Sequence, residues 1–249
     1  NAHALRILRK LEKKFSYCNG LNLTHRSLLS VVKYPIPRAA ATAGKFIYDD
    51  DYYFYINLLA ENQLDLNPGE KTIDAQIMDL ADEIAYAAHD LEDALSRNMV
   101  TIEDIEYEFQ ISDEFRGARE QFREIVTQSR NTAFQANLLK TSEEFAIIFR
   151  KELTSNIVNR LVADISVVTN LNGFQELGFG KLNALSEGLK KLLFKVIMRK
   201  RNILTYEFRG NKIIRDLYDF YNEGENYKFL PPELKFTLPQ PDSCIFKIS

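Results

Sequence analysis

Cysteine is scarce in this sequence, and the two residues present lie near opposite ends of the chain. Cys18 and Cys244 are the only cysteines among 249 residues. Such a pair does not indicate a disulfide scaffold, so we expect a reducing, cytoplasmic setting.

Long apolar runs are also missing. No stretch approaches the roughly 20 residues that a membrane-spanning helix needs, and no signal peptide opens the chain, so we expect no membrane partner. The formal net charge is −3, so the chain is not a polycation, and nucleic-acid binding would need a local basic patch. The 45% hydrophobic and 27% charged residues are typical of a globular protein with a real core.

What the sequence does contain is helical periodicity almost from end to end, which predicts an all-α fold. Leu5, Leu8, Leu11 and Phe15 predict a first helix that ends at a Gly20 cap. Thr24 can cap a second helix, the aspartates at 49–51 suit the N-terminus of a third, and Thr101 with Asp104 reads as a capping pair. Further helices are predicted over 73–91, 113–128, 143–169, 182–200 and 211–222.

Two segments depart from this pattern. Residues 203–210 (ILTYEFRG) alternate as a strand does, which allows at most a short strand pair there. Residues 172–181 (NGFQELGFGK) are rich in glycine and read as a loop. We expect one domain over 1–130 and a helical region that serves oligomerisation over 131–249.

The predicted helix over 73–91 carries the most chemically suggestive stripe. Asp82, Tyr86 and Asp90 are four residues apart and therefore lie along one side of a helix. Acidic residues on helices are usually solvated, which favours a surface face. The alanines around the stripe favour instead a face that a ligand or another helix approaches closely. The residues alone leave both interpretations open.

Four motifs in the same order give this stripe a family context. The segment DLADEIAYAAHDLEDAL (79–95) resembles the ADD-I-x-Y…DLED signature of bacterial dGTP and dNTP triphosphohydrolases, which are HD-domain proteins. The segments NAHALRILRKLE, GLNLTHRSLLSVVKYP and AGKFIYDDD resemble that family's GNAQ helix, its LNLT…KYP segment and the lysine-containing stretch after it. The match is strong from Asn1 to about Asp93 and weaker beyond. The resemblance implies an HD-domain-like helical bundle.

The resemblance also implies roles for particular residues. Asp82 corresponds to the family's distant metal-binding aspartate, so a divalent ion is expected, Mg or Mn first and Fe, Co, Ni or Zn as alternatives. Tyr86 corresponds to the tyrosine that packs on the deoxyribose, and Asp90 to the carboxylate that accepts from the sugar 3′-hydroxyl. The implied contacts to sugar and phosphate come from Asn1, Lys33, Tyr34 and Lys45. Taken alone, the two lysines would be ordinary surface residues and Tyr34 a core or turn aromatic.

Several departures from the family bear on activity. The family's metal-binding His-Asp pair and its catalytic His and Glu precede the GNAQ helix, at which this chain begins, so we expect a truncated piece with no catalytic residue of its own. His3 replaces the family's Gln and Ile47 replaces its Gly. The family's C-terminal CDYI…TD motif is not visible after Lys228.

Three functions remain in competition. The first is metal-dependent hydrolysis of dNTPs, with dGTP preferred, to deoxynucleoside and triphosphate. The second is a non-catalytic regulatory paralogue that binds nucleotide or partner subunits. The third is single-stranded DNA binding by a basic segment with six cations between Lys190 and Arg201, although a solvated helix end explains that segment more simply. The resemblance further implies a homo-oligomer, either a hexamer or a smaller ring.

Overall fold

Helices make up nearly all of the regular structure, as the periodicity predicts. The computed structural model describes residues 2–41, 44–136, 140–170 and 173–230. The helices are α1 (Ala2–Arg6, continued by a π turn over Ile7–Leu11), α2 (His25–Ser30), α3 (Asp49–Glu61), α4 (Ile73–Ser96), α5 (Ile102–Ile111), α6 (Arg119–Phe134), α7 (Ser142–Ala163), α8 (Asn183–Met198) and α9 (Arg201–Asn222). Short 3-10 turns cover Arg38–Ala40, Arg116–Ala118 and Asn226–Phe229. The all-α expectation is confirmed.

Threonine side chains begin four of these helices. Thr24, Thr72, Thr101 and Thr141 each accept a hydrogen bond from the backbone N–H three residues later. The pair Thr101 and Asp104 forms the predicted capping box, in which each side chain also caps the other's backbone. Each such cap typically contributes about 1 kcal/mol to helix stability.

The first three helices share a small core that is pinned by one buried carboxylate. Asp51 on α3 is fully buried and accepts from Arg6 and Arg9 at 2.8 Å each. The Arg6 guanidinium also lies 3.9 Å from the centroid of the Tyr48 ring. Since a buried charge is tolerated only when paired, these contacts fix the N-terminal segment on α3.

A larger core joins helices α4 to α8. Its fully buried members include Leu91, Phe109, Phe122, Ile157 and Leu189, one from each of α4, α5, α6, α7 and α8. α4 lies at its centre, packed against α7, α8 and the hairpin described below. One side of α4, which includes Tyr86 and Asp90, stays exposed. α6 runs through residue 130, and the division at that position stays a prediction.

The expected strand at 203–210 is wrong, because this segment lies inside α9. Tyr206 and Phe208 are exposed, so no neighbouring strand among the described residues packs against the alternating apolar side chains of this segment. Over the longer window of 201–222 the helical period prevails.

The two strands lie elsewhere, one at the end of the helix predicted over 143–169 and the other in the segment expected to be a loop. β1 (Ile165–Thr169) and β2 (Gln175–Phe179) pair antiparallel, with Val168 opposite Glu176 and Ser166 opposite Gly178. Gly178 suits this hairpin, because a Cβ there would come within 2.5 Å of the Val168 side chain. The helix predicted over 143–169 accordingly ends at Ala163.

The first helix is shorter than predicted. Its helical turns end at Leu11, and Gly20 adopts a φ of +70° beyond an irregular segment. A Cβ at Gly20 would lie 2.3 Å from the Leu8 carbonyl oxygen, and the next amide, Leu21 N–H, donates to that oxygen at 2.9 Å. Gly20 therefore lets the chain return to α1 rather than capping it.

Within the described ranges, no helix is both long and apolar enough to cross a membrane.

Candidate functional site

The predicted stripe lies on an open side of α4. Asp82 has 43% of its side chain exposed, Tyr86 is 51% exposed, and Asp90 is exposed as well. Ala87 and Ala88, between them, are buried against the core. On this chain the stripe is thus accessible to a ligand or another protein segment, and it is not covered by the bundle.

Lys33 reaches this stripe from the end of α2. Its ammonium contacts the Asp82 carboxylate and lies 3.0 Å from Asp79, one turn earlier on α4. Asp79 also accepts from Lys71 at 2.5 Å, just before α4 begins. Two lysines and two aspartates therefore form one connected cluster.

Local packing holds Lys33 in this position. The α2 residues Leu28 and Leu29 are buried, as is Val32 directly before Lys33. Arg26 on α2 makes a two-pronged contact with Asp74 on α4, at 2.8 and 2.7 Å. The Arg26 side chain is 79% exposed, so this pair contributes little to the position of Lys33, which the buried residues of α2 fix.

Charge pairing within the cluster outweighs the cost of burial. Burial lowers the pKa of Lys33, but hydrogen bonds to Asp82 and Asp79 raise it more, and the net pKa lies above the ordinary value. Burial likewise raises the pKa of Asp79, yet the hydrogen bonds from Lys71 and Lys33 bring it below its ordinary value. Lys33 and Asp79 are consequently both charged at neutral pH.

Tyr34 and Lys45 meet through a short backbone bridge. Ile47 N–H donates to Ile36 C=O at 2.8 Å, and Arg38 N–H donates to Ile47 C=O at 3.1 Å. This bridge brings the Lys45 ammonium to 4.9 Å from the centroid of the Tyr34 ring, a cation–π distance. Ile47, which stands where the family has Gly, is buried in the N-terminal core.

Asp90 differs electrostatically from the aspartates of the lysine cluster. Burial raises its pKa above the ordinary value, the neighbouring Asp93 carboxylate adds to the increase, and His89 opposes it. A carboxylate of this kind gains from a hydrogen-bond donor brought by a ligand. Asn1, the remaining predicted contact residue, lies outside the described residues.

The donor set does not make a complete metal centre. Among residues 2–41, 44–136, 140–170 and 173–230, no group of three or more histidine, cysteine or acidic side chains could hold an ion. His3 contacts the Tyr48 hydroxyl at 3.1 Å, and His25 lies 3.0 Å from the Asn62 amide. His3 and His25 are thus engaged away from the stripe, and His89 is exposed.

The basic segment near the end of α8 is largely paired with acids. Four of its six cations have carboxylate partners: Lys190 with Glu83 at 3.3 Å, Lys191 with Glu187 at 2.7 Å and Glu114 at 3.1 Å, Lys195 with Glu108 at 3.2 Å, and Arg199 also with Glu108. This pairing reduces the charge available to phosphates. Single-stranded DNA binding stays a prediction.

Comparison with known proteins shows what this chain is similar to. Over 238 residues the chain is 48% identical to deoxyguanosinetriphosphate triphosphohydrolase-like protein 2 of Vibrio cholerae serotype O1, covering 94% of this chain and 57% of that protein. The chain is a homologue of the deoxyguanosinetriphosphate triphosphohydrolase-like proteins. A relative of that name from Wolinella succinogenes is 28% identical over 96% of this chain and 60% of its own length. The one from Rickettsia bellii is 26% identical over 91% of this chain and 56% of its own length.

A domain match agrees with these triphosphohydrolase-like relatives. Residues 181–243 match the phosphohydrolase-associated domain. The expected resemblance is thus confirmed, and the similarities support a phosphohydrolase family. The chain spans less than two thirds of the length of the triphosphohydrolase-like proteins named above.

Sequence reasoning missed Asp79 and Lys71. Asp79 lies three residues before Asp82, on the same side of α4, so the spacing could have indicated it. Lys71 gave no comparable signal, because it lies outside the helix and its contact depends on how the chain enters α4.

Proposed function

We propose that this chain is the substrate-binding portion of a dNTP triphosphohydrolase, with dGTP preferred, which releases a deoxynucleoside and intact triphosphate. The observation that carries the proposal is the placement of the Lys33 ammonium against Asp82 at one end of an exposed Asp-Tyr-Asp stripe. A cation, an aromatic ring and a carboxylate thus follow one another along α4, an order that supports a site for phosphate at one end and sugar at the other.

The phosphate end of the proposed site is formed by two lysines. Lys33 is suited to neutralise the triphosphate as a point charge. Lys45, with its ammonium above the Tyr34 ring, would supply the second. Because Lys33 contacts Asp82, the phosphates would lie at the Asp82 end of the stripe.

The sugar end is formed by Tyr86 and Asp90. The Tyr86 ring would pack on a deoxyribose and leave no room for a ribose 2′-hydroxyl. Asp90 would accept a hydrogen bond from the 3′-hydroxyl, which satisfies a carboxylate that burial and Asp93 both disfavour. A steric and a polar test together would select deoxynucleotides.

A divalent ion, Mg or Mn, belongs to the proposed reaction, where it would act as a Lewis acid on a phosphate oxygen. Asp82 would supply one ligand. The described residues do not supply the others. We propose that they, and the catalytic acid–base groups, come from the remainder of a protein as long as the relatives of this chain. No catalytic residue is assigned within this chain.

The alternative is a regulatory paralogue that binds nucleotide without hydrolysing it. The incomplete donor set among the described residues favours this alternative. In that case Lys33, Tyr86 and Asp90 would still form the binding face, and only turnover would be absent.

Triphosphate release from dGTP with Mn²⁺ or Mg²⁺ tests the proposal. We expect no turnover by the 249-residue chain, and turnover by a form extended upstream of Asn1. Asp82→Ala should abolish the activity of the extended form, because one ligand is lost from the ion. An extended form that binds dGTP and releases no triphosphate would establish the regulatory alternative, and turnover by the isolated chain would overturn the assignment of the metal ligands.

Homo-oligomerisation is the second part of the proposal, and α9 supplies its surface. Large apolar residues of α9 are exposed: Leu204, Tyr206, Phe208, Ile213, Ile214, Leu217, Tyr218 and Phe220. Ile203, Tyr206, Gly210, Ile213, Leu217 and Phe220 alternate at three and four residues, which is the spacing of a helix–helix seam.

This seam is complementary to itself in an antiparallel arrangement. If two copies of α9 pair about a two-fold axis between residues 211 and 212, Ile203 meets Phe220 and Tyr206 meets Leu217. The same register brings Arg209 of one copy near Asp216 of the other. We therefore propose a second copy of this chain as the occupant of the α9 face.

A further inference from the structure

Asp79 holds two lysines at once. One of its carboxylate oxygens lies 3.0 Å from the Lys33 ammonium and the other lies 2.5 Å from Lys71. Only 20% of its side chain is exposed, and the exposures of Lys33 and Lys71 are 16% and 21%. These pairs are therefore shielded from solvent more than typical surface ion pairs are.

Asp82 is placed differently, although it is only one turn away. Its side chain is 43% exposed, and its ion-pair partner in the cluster is Lys33 alone. A carboxylate that is open to solvent and singly paired can exchange its partner for another cation at modest cost. Asp79 could do so only by breaking its pairs with two largely buried ammonium groups, and Lys71 would then keep no carboxylate partner in the cluster.

Asp79 and Asp82 thus both contact the Lys33 ammonium, but they differ in how easily each can release it. Two lysines and two aspartates balance in charge in the cluster as it stands. When another cation engages Asp82, Lys33 loses one contact and keeps the Asp79 contact. Its ammonium then stays at the same end of the stripe, where it can meet an anion instead of following the Asp82 carboxylate or turning to solvent.

We infer that Asp79 is a positioning residue, which keeps the Lys33 ammonium at the phosphate end of the stripe when the more exposed Asp82 changes its partner. The inference rests on the proposed function, since it takes the ligand of Lys33 to be a nucleotide triphosphate. Asp79 itself touches neither metal nor nucleotide.

A double-mutant cycle tests this role through binding rather than turnover. The probe is a dGTP analogue with a methylene group in place of the 5′ bridging oxygen, titrated with Mg²⁺ into the form extended upstream of Asn1. Lys33→Met should weaken binding at least about tenfold, the scale of one charge-assisted contact. Asp79→Asn, which keeps the side-chain shape, should weaken it about fivefold.

The decisive variant is the double mutant. If Asp79 acts through Lys33, adding Asp79→Asn to Lys33→Met should change affinity by less than about twofold. Additive losses would overturn the inference, as would unchanged binding in Asp79→Asn. Asp79→Glu should recover part of the affinity, because it restores the charge.

Asp74 provides the matched control. It also lies on α4 and pairs with an α2 cation, Arg26, but it does not contact Lys33. Asp74→Asn should leave analogue binding unchanged. Equal losses of affinity in Asp74→Asn and Asp79→Asn would mean that Asp79 only supports the contact between α2 and α4.

Metal binding separates positioning from ligation. Mn²⁺ titration without nucleotide, followed by electron paramagnetic resonance, should show a large loss of affinity in Asp82→Asn and a much smaller one in Asp79→Asn. Equal losses would make Asp79 a ligand and overturn its positioning role. If Lys33→Met leaves analogue binding unchanged, the proposed phosphate site itself fails, which is a result distinct from failure of Asp79 alone.

Discussion

At the scale of single residues, the placement of carboxylates determines what each can do. Asp51 is fully buried between Arg6 and Arg9 and fixes the N-terminal segment. Asp79 is half-enclosed by two lysines. Asp82 and Asp90 face solvent along α4. Since Asp82 and Asp90 are more exposed than Asp51 and Asp79, they can accept a new partner at a lower cost, and the stripe is the part of α4 best suited to a ligand.

Tyr86 is where sugar selection can be tested. Its ring is 51% exposed on α4, four residues from both Asp82 and Asp90. If the ring excludes a 2′-hydroxyl, Tyr86→Ala should narrow the difference in affinity between dGTP and GTP in the extended form. We expect dGTP binding to weaken by about 1–2 kcal/mol through lost ring packing, with GTP binding affected less.

Competition titrations of dGTP and GTP give that measurement, with Tyr107→Ala as control. Tyr107 is a similarly exposed tyrosine on α5, away from the stripe. Equal weakening of both nucleotides by Tyr86→Ala, with selectivity retained, would contradict the sugar assignment.

At the scale of elements, the close approach of α5 to α8 depends on one glycine. A Cβ at Gly188 would lie 2.6 Å from the Phe109 ring and 3.3 Å from the Phe115 Cβ. Phe109 is fully buried, and its ring centroid lies 5.5 Å from that of Phe122. Neither ring can move freely, so α8 can approach α5 this closely only with a glycine at this point.

Gly188→Ala should therefore destabilise the protein, although alanine is the better helix former. We expect a loss of about 1–3 kcal/mol in the free energy of unfolding, because an extra methyl group overpacks a core that is already filled. Chemical denaturation with urea measures it. Phe109→Leu in the same chain should recover part of the loss, and a more stable Gly188→Ala variant would show that the contact is looser than the structure indicates.

At the scale of the whole molecule, two kinds of surface remain after the core has formed. One is the stripe on α4, and the other is the exposed apolar face of α9. The buried residues of the larger core come from α4 to α8 and the hairpin, while α9 touches the bundle chiefly at the end of α8 and its own following turn. An apolar face of this length typically marks an interaction surface.

Light scattering on the 249-residue chain tests the α9 pairing. The wild-type chain should form dimers or larger closed assemblies, and Ile213→Lys with Leu217→Lys should yield monomers, because charge would be buried in the seam. Arg209→Asp alone should weaken association, and so should Asp216→Arg alone. The exchange of both residues in one chain should restore association, since the opposite charges again face each other.

A monomeric wild-type chain would contradict self-pairing. An exchange variant that associates no more strongly than the Arg209→Asp or Asp216→Arg variant would also contradict it. Either result would indicate that another part of the protein covers the α9 face.

The sequence by itself determined the helical class, the threonine caps and the stripe on α4. Those features depend on residues that are close in the chain. The spacing of apolar residues determines the helical class, and a helix cap needs only a hydroxyl three residues before the amide that donates to it. The motifs likewise predicted the family, because short ordered segments carry it. Local rules failed in two segments. Residues 172–181 include a strand because they pair with β1, and residues 203–210 are helical because they have no sheet partner among the described residues.

Only the tertiary structure decided how the stripe is used. Lys33 meets Asp79 and Asp82 across tens of residues of sequence. The exposure of Tyr86 and the second partner of Asp79, Lys71, also depend on how the chain packs around α4. Burial and ion pairing of this kind follow from how the helices pack, which no local pattern encodes. The same holds for the basic segment on α8, whose positive charge is evident in the sequence and whose acidic partners on α4 and α5 appear only once the bundle has formed.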